Sequence, residues 1–199
     1  MVATTLDPNG RINFESAVVL LVERSHHSAD VLQQIFVGFG ARNCLRATTA
    51  DEAQDIVKRR PVDLIVIDPT IEGGYDFLTW LRRSDLEPNR GAPVIAVSAN
   101  GAKSGILKAR NSGASFFITK PLTPATLLDR ILWVVKDNRP FVVAQAYAGP
   151  DRRFNLNDPP PGIGARRSTD VDTQLEDAAE PNMSQAEIDS LLKPQKVSL

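Results

Sequence analysis

Five short apolar runs punctuate the first two thirds of the chain: Ala17 to Val22, Arg42 to Ala47, Leu64 to Ile67, Val94 to Val97 and Phe116 to Ile118. Three of them are almost wholly apolar, as strands buried on both faces must be. Between the runs, apolar residues recur at helical spacing. Val31, Leu32, Ile35 and Phe36 predict a first helix, and Ala53, Ile56 and Val57 a second, opened by the capping box Thr49-Ala-Asp-Glu52. Phe77, Leu78, Trp80 and Leu81 predict a third, and Ile106, Leu107 and Ala109 a weaker fourth. Leu127, Leu128, Ile131, Leu132 and Val135 predict a strong fifth, with Thr123 as its cap and Pro124 at the first helical position.

Strand and helix thus alternate five times. Right-handed crossovers turn that order into an α/β fold, a doubly wound (βα)5 flavodoxin-like parallel sheet covered on both faces. Composition limits where this domain can lie. From Pro140 onward the chain becomes polar and holds seven of its fourteen prolines, so the core belongs to the first two thirds. We expect a disordered segment over 1–15, the α/β domain over 16–137, a Pro- and Arg-containing linker over 138–182 that is disordered over most of its length but in which Phe141 to Tyr147 could pack on the domain, and a short amphipathic helix over 183–192. A formal net charge of -1 gives no bulk attraction to nucleic acid or anionic lipid, so no DNA partner is expected. Cys44, the single cysteine, rules out an internal disulfide framework and reads as a small buried hydrophobe. The start of the chain lacks the pattern of a signal peptide, and no apolar run reaches membrane-spanning length. The expectation is a cytoplasmic protein with no membrane insertion.

In a doubly wound sheet, reactive groups gather beyond the carboxyl ends of the strands. Glu23 follows the first strand, Asp68 the third, Ser98-Ala99 the fourth and Lys120-Pro121 the fifth. A carboxylate nucleophile, a hydroxyl, an ammonium and a second carboxylate suit transfer of a phosphoryl group to Asp68, where catalysis is mainly positioning and charge stabilisation. Lys120 would pair first with the acceptor and then with a phosphate oxygen, and Ser98 would donate to another. Nothing else in the chain resembles a complete catalytic constellation, so an enzyme with its own small-molecule substrate is not expected. His26 and His27 adjoin at the start of a helix with no third ligand at a metal-binding spacing. An FMN site would need a Ser, Thr and Gly-rich loop after the first strand, where Glu23-Arg-Ser-His-His stands instead.

Asp68, Ser98-Ala99, Lys120-Pro121 and Phe117, three residues before the lysine, together resemble the CheY-like receiver domains of bacterial response regulators over about residues 16–137. The resemblance implies a two-component phosphorelay with Asp68 as phosphoacceptor, Ser98, Lys120 and Phe117 as switch residues, and a sensor histidine kinase or phosphotransfer protein upstream. It also implies a Mg2+ ion held by Glu23, Asp68 and Thr70 together with a second acid after the first strand. This chain has Arg24 in that second place, and its guanidinium would either exclude the ion or stand in for it by pairing with Asp68. The rival expectation is a phosphorylation-independent pseudo-receiver, acting as a scaffold or as a cyclic di-GMP effector. Arg152, Arg153, Arg166 and Arg167 are paired cations suited to phosphates or a guanine edge, and loosely resemble the arginine-rich segments with which some CheY-like proteins bind cyclic di-GMP.

The end of the chain carries its own signal. Ser184 and Glu187 form a capping box, and Met183 precedes the cap, placed to staple onto Ile188. Ile188, Leu191 and Leu192 share a face, and Pro194 limits continuation. So short a helix needs a groove to form against. It resembles the N-terminal peptide of the flagellar motor switch protein FliM, which implies chemotaxis or flagellar motor control and docking on a receiver in cis or in trans, in competition with motor switch components.

Overall fold

The structure, a computed structural model, describes residues 14–136, 139–151 and 181–192. Five parallel strands form one sheet: β1 (Val18–Val22), β2 (Asn43–Ala47), β3 (Leu64–Ile67), β4 (Val94–Ser98) and β5 (Phe116–Thr119), in the order β2-β1-β3-β4-β5. The crossover helices are α1 (His26–Gly38), α2 (Ala50–Arg59), α3 (Gly74–Arg83), α4 (Lys103–Asn111) and α5 (Pro124–Val135). This is the expected doubly wound flavodoxin-like fold.

The period of two along each strand sorts the core into two layers. Leu20, Val22, Ile65, Ile67, Val94, Ala96 and Phe117 face α2, α3 and α4, where Val57, Phe77, Leu81 and Ile106 meet them. Their neighbours Val19, Leu21, Leu64, Val66, Ile95, Val97 and Phe116 face the other way, onto Leu32 and Phe36 of α1 and Leu127 and Ile131 of α5. The caps behave as the sequence predicts. Thr49 Oγ1 accepts from Glu52 N at 3.2 Å and Thr123 Oγ1 from Thr126 N at 3.1 Å. Glu52 reaches back one residue further than expected, accepting from Thr48 N at 2.7 Å.

Three expectations need correction, two of them about the flanks. The domain begins before residue 16, because Phe14 is buried and stacks on Phe39 with centroids 5.5 Å apart, and Glu15 pairs with Arg42. Part of the supposed linker folds, since β6 (Phe141–Ala144) and β7 (Tyr147–Pro150) make an antiparallel hairpin after α5. Val31, assigned to the inner face of the first helix, is exposed. The hairpin lies against the end of α3, where Arg82 is buried beneath it. The Arg82 guanidinium donates to Gly113 O at 2.9 Å, Arg90 O at 2.6 Å and Ala92 O at 2.7 Å, and burial lowers its pKa to about 10. Gly113 has φ +102°, and a Cβ there would lie 2.5 Å from Arg82 Cγ, so only glycine lets the chain pass this close.

The final helix, α6 (Gln185–Leu192), is docked on its own domain, against β5. Its capping box is complete: Glu187 accepts from Ser184 N at 2.7 Å, and Ser184 Oγ from Glu187 N at 3.4 Å. Ile188 is fully buried in the same cluster as Phe117 and Ile106, with Met183, Leu191 and Leu192 half-buried around it.

Candidate functional site

The strands deliver their terminal residues to one edge. Parallel pairing sets Val22 beside Ile67, so Glu23 and Asp68, one residue further along each strand, emerge as neighbours. Glu23 N donates to Ala47 O at 3.0 Å and Asp68 N to Val22 O at 2.9 Å, so both acids leave from backbone that is still hydrogen-bonded. Lys120, just past β5, is anchored by its own N–H on Ser98 O at 2.9 Å.

The Lys120 ammonium lies between the two carboxylates, 2.6 Å from Glu23 Oε2 and 2.8 Å from Asp68 Oδ2. The other oxygens are also engaged. Glu23 Oε1 accepts from Ser25 N at 2.9 Å, while Asp68 Oδ1 accepts from Thr70 Oγ1 at 2.6 Å and Thr70 N at 3.1 Å. Burial alone would raise the pKa of Asp68, but the Lys120 ammonium and the two Thr70 donors outweigh it and hold the carboxyl below its ordinary value. Lys120 shows the converse, its burial outweighed by Asp68 and Glu23, so its pKa is raised. Asp68 is therefore ionised and oriented across the physiological range, as a nucleophile must be.

Ser98 closes β4 and is buried, with Oγ accepting from Asn100 N at 3.2 Å. Phe117 points inward and is buried. Thr70, expected only as a possible metal ligand, has its hydroxyl on the acceptor instead. Arg24 is exposed and makes no ion pair among the described residues, which corrects the idea that it stands in for the ion by pairing with Asp68. Lys120 holds that position. His26 and His27 are exposed. Arg152, Arg153, Arg166 and Arg167 lie outside the described residues.

Mg2+ requires several oxygen ligands in near-octahedral array. The residues present do not fit it well: Arg24 occupies the place of one acid, and Lys120 already binds an oxygen of each remaining carboxylate. Among the described residues no group of three or more His, Cys, Asp and Glu side chains is placed to hold a metal.

Residues 19–132 match the family described as the response regulator receiver domain. The chain belongs to that family. It is 34% identical over 120 residues to the transcriptional regulatory protein YvrH of Bacillus subtilis, covering 59% of this chain and 48% of that one. It is 29% identical over 99 residues to the phosphate regulon transcriptional regulatory protein PhoB of Pseudomonas aeruginosa, covering 49% and 42%. The chain thus spans about half the length, or less, of these curated relatives. Among solved structures, the receiver fold is shared with CheY in the CheX–CheY–BeF3–Mg2+ complex of Borrelia burgdorferi, at 28% identity and a TM-score of 0.54 over 65% of this chain and 93% of that one. Vibrio cholerae CheY4, at 21% identity and a TM-score of 0.54 over 59% and 98%, shows the fold alone. Receiver domains in general bind Mg2+ for phosphorylation, which makes Arg24 a departure within a shared fold.

The residues that sequence reasoning missed belong to the tail contacts: Gln185, Asn182 and the ion pair of Arg130 with Asp189. One signal was present. Gln185 and Asp189 sit three residues before and one after Ile188, on the flank of the apolar face.

Proposed function

We propose that this receiver accepts a phosphoryl group on Asp68 from an upstream histidine kinase or phosphotransfer protein, slowly and with little help from Mg2+, and signals by protein contact. The observation that carries this is the Lys120 ammonium 2.8 Å from an ionised Asp68 at the carboxyl end of β3. A carboxylate oxygen attacks phosphorus as the P–N bond of a phosphohistidine breaks. The imidazole leaves with the electron pair and takes a proton, and Lys120 neutralises the incoming charge. The output surface is the face of α4, β5 and α5, which α6 occupies here, so a partner must displace α6 to reach it. The resemblance of residues 183–192 to a motor-switch peptide supports chemotaxis or flagellar control, with α6 and motor components as competing occupants. The protein then works in the cytoplasm as a signalling module, not as an enzyme on a substrate of its own. Among the described residues no helix is long and apolar enough to cross a membrane.

Phosphoramidate or acetyl phosphate, with and without Mg2+, followed by intact mass, tests the proposal. One phosphoryl group on the wild type and none on Asp68→Asn is expected; no transfer under any condition would defeat it. In that event the pseudo-receiver reading is favoured by Arg24 and the fully engaged carboxylates. Cyclic di-GMP calorimetry with and without Arg152, Arg153, Arg166 and Arg167 then tests its nucleotide form.

A further inference from the structure

Two of the four strand ends that carry reactive groups, those of β4 and β5, are gripped from the tail. β5 is an edge strand, so one row of its backbone groups has no neighbouring strand. On that row the Gln185 carboxamide substitutes for a strand: Oε1 accepts from Thr119 N at 3.1 Å and Nε2 donates to Phe117 O at 3.2 Å. Lys120 is the next residue. The loop leaving β4 is held in the same way, with Gly101 N donating to Asn182 Oδ1 at 3.0 Å and Met183 N donating to Gly101 O at 2.9 Å. One residue before Gly101, Asn100 N is bonded to Ser98 Oγ. A Cβ at Gly101 would lie 2.7 Å from Thr119 Cγ2, so the strand end and the loop also touch each other. Asp189 accepts from Gln185 Nε2 at 2.9 Å and pairs with Arg130 of α5, which fixes the carboxamide's orientation.

We propose that α6 is a clamp on the reactive end of the sheet, in which Gln185 and Asn182 are positioning residues for Lys120 and Ser98, so that tail docking and phosphorylation of Asp68 favour each other. This rests on Asp68 being the acceptor. The sign follows from the geometry. Lys120 carries the charge stabilisation, and it hangs from the end of a strand hydrogen-bonded to a neighbouring strand on one side only. Without Gln185, Phe117 O and Thr119 N turn to water, the strand end frays, and the ammonium loses its fixed place between Glu23 and Asp68. Transfer steps are steeply sensitive to such misplacement, by roughly a hundredfold for ~1 Å. Linkage makes the effect reciprocal, so phosphorylation tightens docking by the factor by which docking favours phosphorylation.

The test uses the full chain as wild type, Gln185→Ala, Ile188→Asp, and the exposed control Ser190→Ala. Amide exchange reads Gly101, Thr119 and Lys120, and intact mass reads phosphorylation by phosphoramidate. We expect faster exchange at Thr119 and Lys120 and phosphorylation slowed about tenfold in the first two variants, no change in the control, and recovery of Ile188→Asp when a peptide of residues 181–192 is added in trans. Equal phosphorylation rates, or faster phosphorylation on undocking, would overturn the coupling while leaving the acceptor intact. No phosphorylation of any form would overturn the acceptor assignment and the coupling with it.

Discussion

Replacing Lys120 with methionine removes what is, among the described residues, the only cation that touches both site carboxylates, and keeps most of the side-chain volume. Because Nζ is 2.6 Å from one acid and 2.8 Å from the other, the two facing oxygens are no more than about 5.4 Å apart. Their side chains are 6% and 11% exposed, so bulk water screens them poorly. At an effective dielectric constant of about 20, two unit charges at that separation repel by ~3 kcal/mol. That is roughly a hundredfold in proton affinity, acting on one proton shared between two coupled groups. The carboxyl carbons of Lys120→Met, followed by NMR, should therefore titrate in two separated steps, the upper one displaced well above the ordinary carboxylate range. Stability should change sign in its pH dependence. A group whose folded pKa is raised above its unfolded value is stabilised on protonation, so the variant should gain stability as pH falls towards the acid range, measured by denaturant unfolding. A single titration step in the ordinary range, with unfolding indifferent to pH, would refute the claim that Lys120 holds the two acids together.

Three further outcomes follow from the same geometry. In the wild type the depressed Asp68 contributes stability that is present above about pH 4 and lost as pH falls through its folded pKa, while the raised Lys120 contributes stability present below about pH 10 and lost as pH rises through its own. Unfolding free energies from this pair should accordingly be flat between those limits. Arg24→Asp should raise Mg2+ affinity in calorimetry, since it restores an oxygen donor and removes a cation; equal affinity would remove Arg24 as the cause of weak binding. Arg82→Met should cost about 3 kcal/mol in denaturant unfolding, because three buried carbonyls lose their donor, and Arg82→Lys should recover little, since an ammonium cannot fork to the same three groups.

The sheet was legible because its strands are buried on both faces and read as uninterrupted apolar runs, and because the capping residues Thr49, Thr123 and Ser184 state where helices begin. The site was legible for a topological reason. Once the strands are placed, a parallel sheet dictates that residues just after them converge, and Glu23, Asp68 and Lys120 do. Ser98 at the end of β4 and Phe117 within β5 also lie where expected, though the hydrogen bonds to the Asp68 carboxylate come from Thr70 and Lys120. What composition left open was the hairpin, whose strands have four residues each and bury few side chains besides Tyr147 and Ala148. Its attachment uses Arg83, which donates to Gln145 O, and the guanidinium groups of Arg82 and Arg90 over the Phe141 ring, interactions with no periodicity to read. The docked helix was foreseen as a helix and as a ligand for such a face. Its choice of its own domain, and the role of Gln185 on the edge of β5, depend on backbone groups that no residue pattern displays.

Charge balance explains how a receiver keeps its fold while losing an acid. A site with three carboxylates and one lysine carries a net charge of about minus two, which a divalent ion neutralises. Exchanging one carboxylate for Arg24 adds two positive charges, the same amount the ion would bring, so Glu23, Asp68, Lys120 and Arg24 are neutral together with no metal. The depressed pKa of Asp68 comes from the nearer groups, the Lys120 ammonium and the two Thr70 donors, which outweigh its burial without an ion. Geometry is not compensated in the same way. A divalent ion would supply its charge directly to the acceptor and the transferred group, whereas Arg24 is exposed and leaves Asp68 to Lys120 and Thr70. The ground state is thus preserved while the transition state loses a bridging charge, and loss of stabilisation in the transition state alone lowers rate without lowering stability. Arg24→Asp separates these terms. With Mg2+ it should phosphorylate faster than the wild type, and without Mg2+ it should be less stable, because three acids would then face one lysine. A variant that was faster in Mg2+ yet equally stable without it would show that Arg24 contributes nothing to the balance of charge.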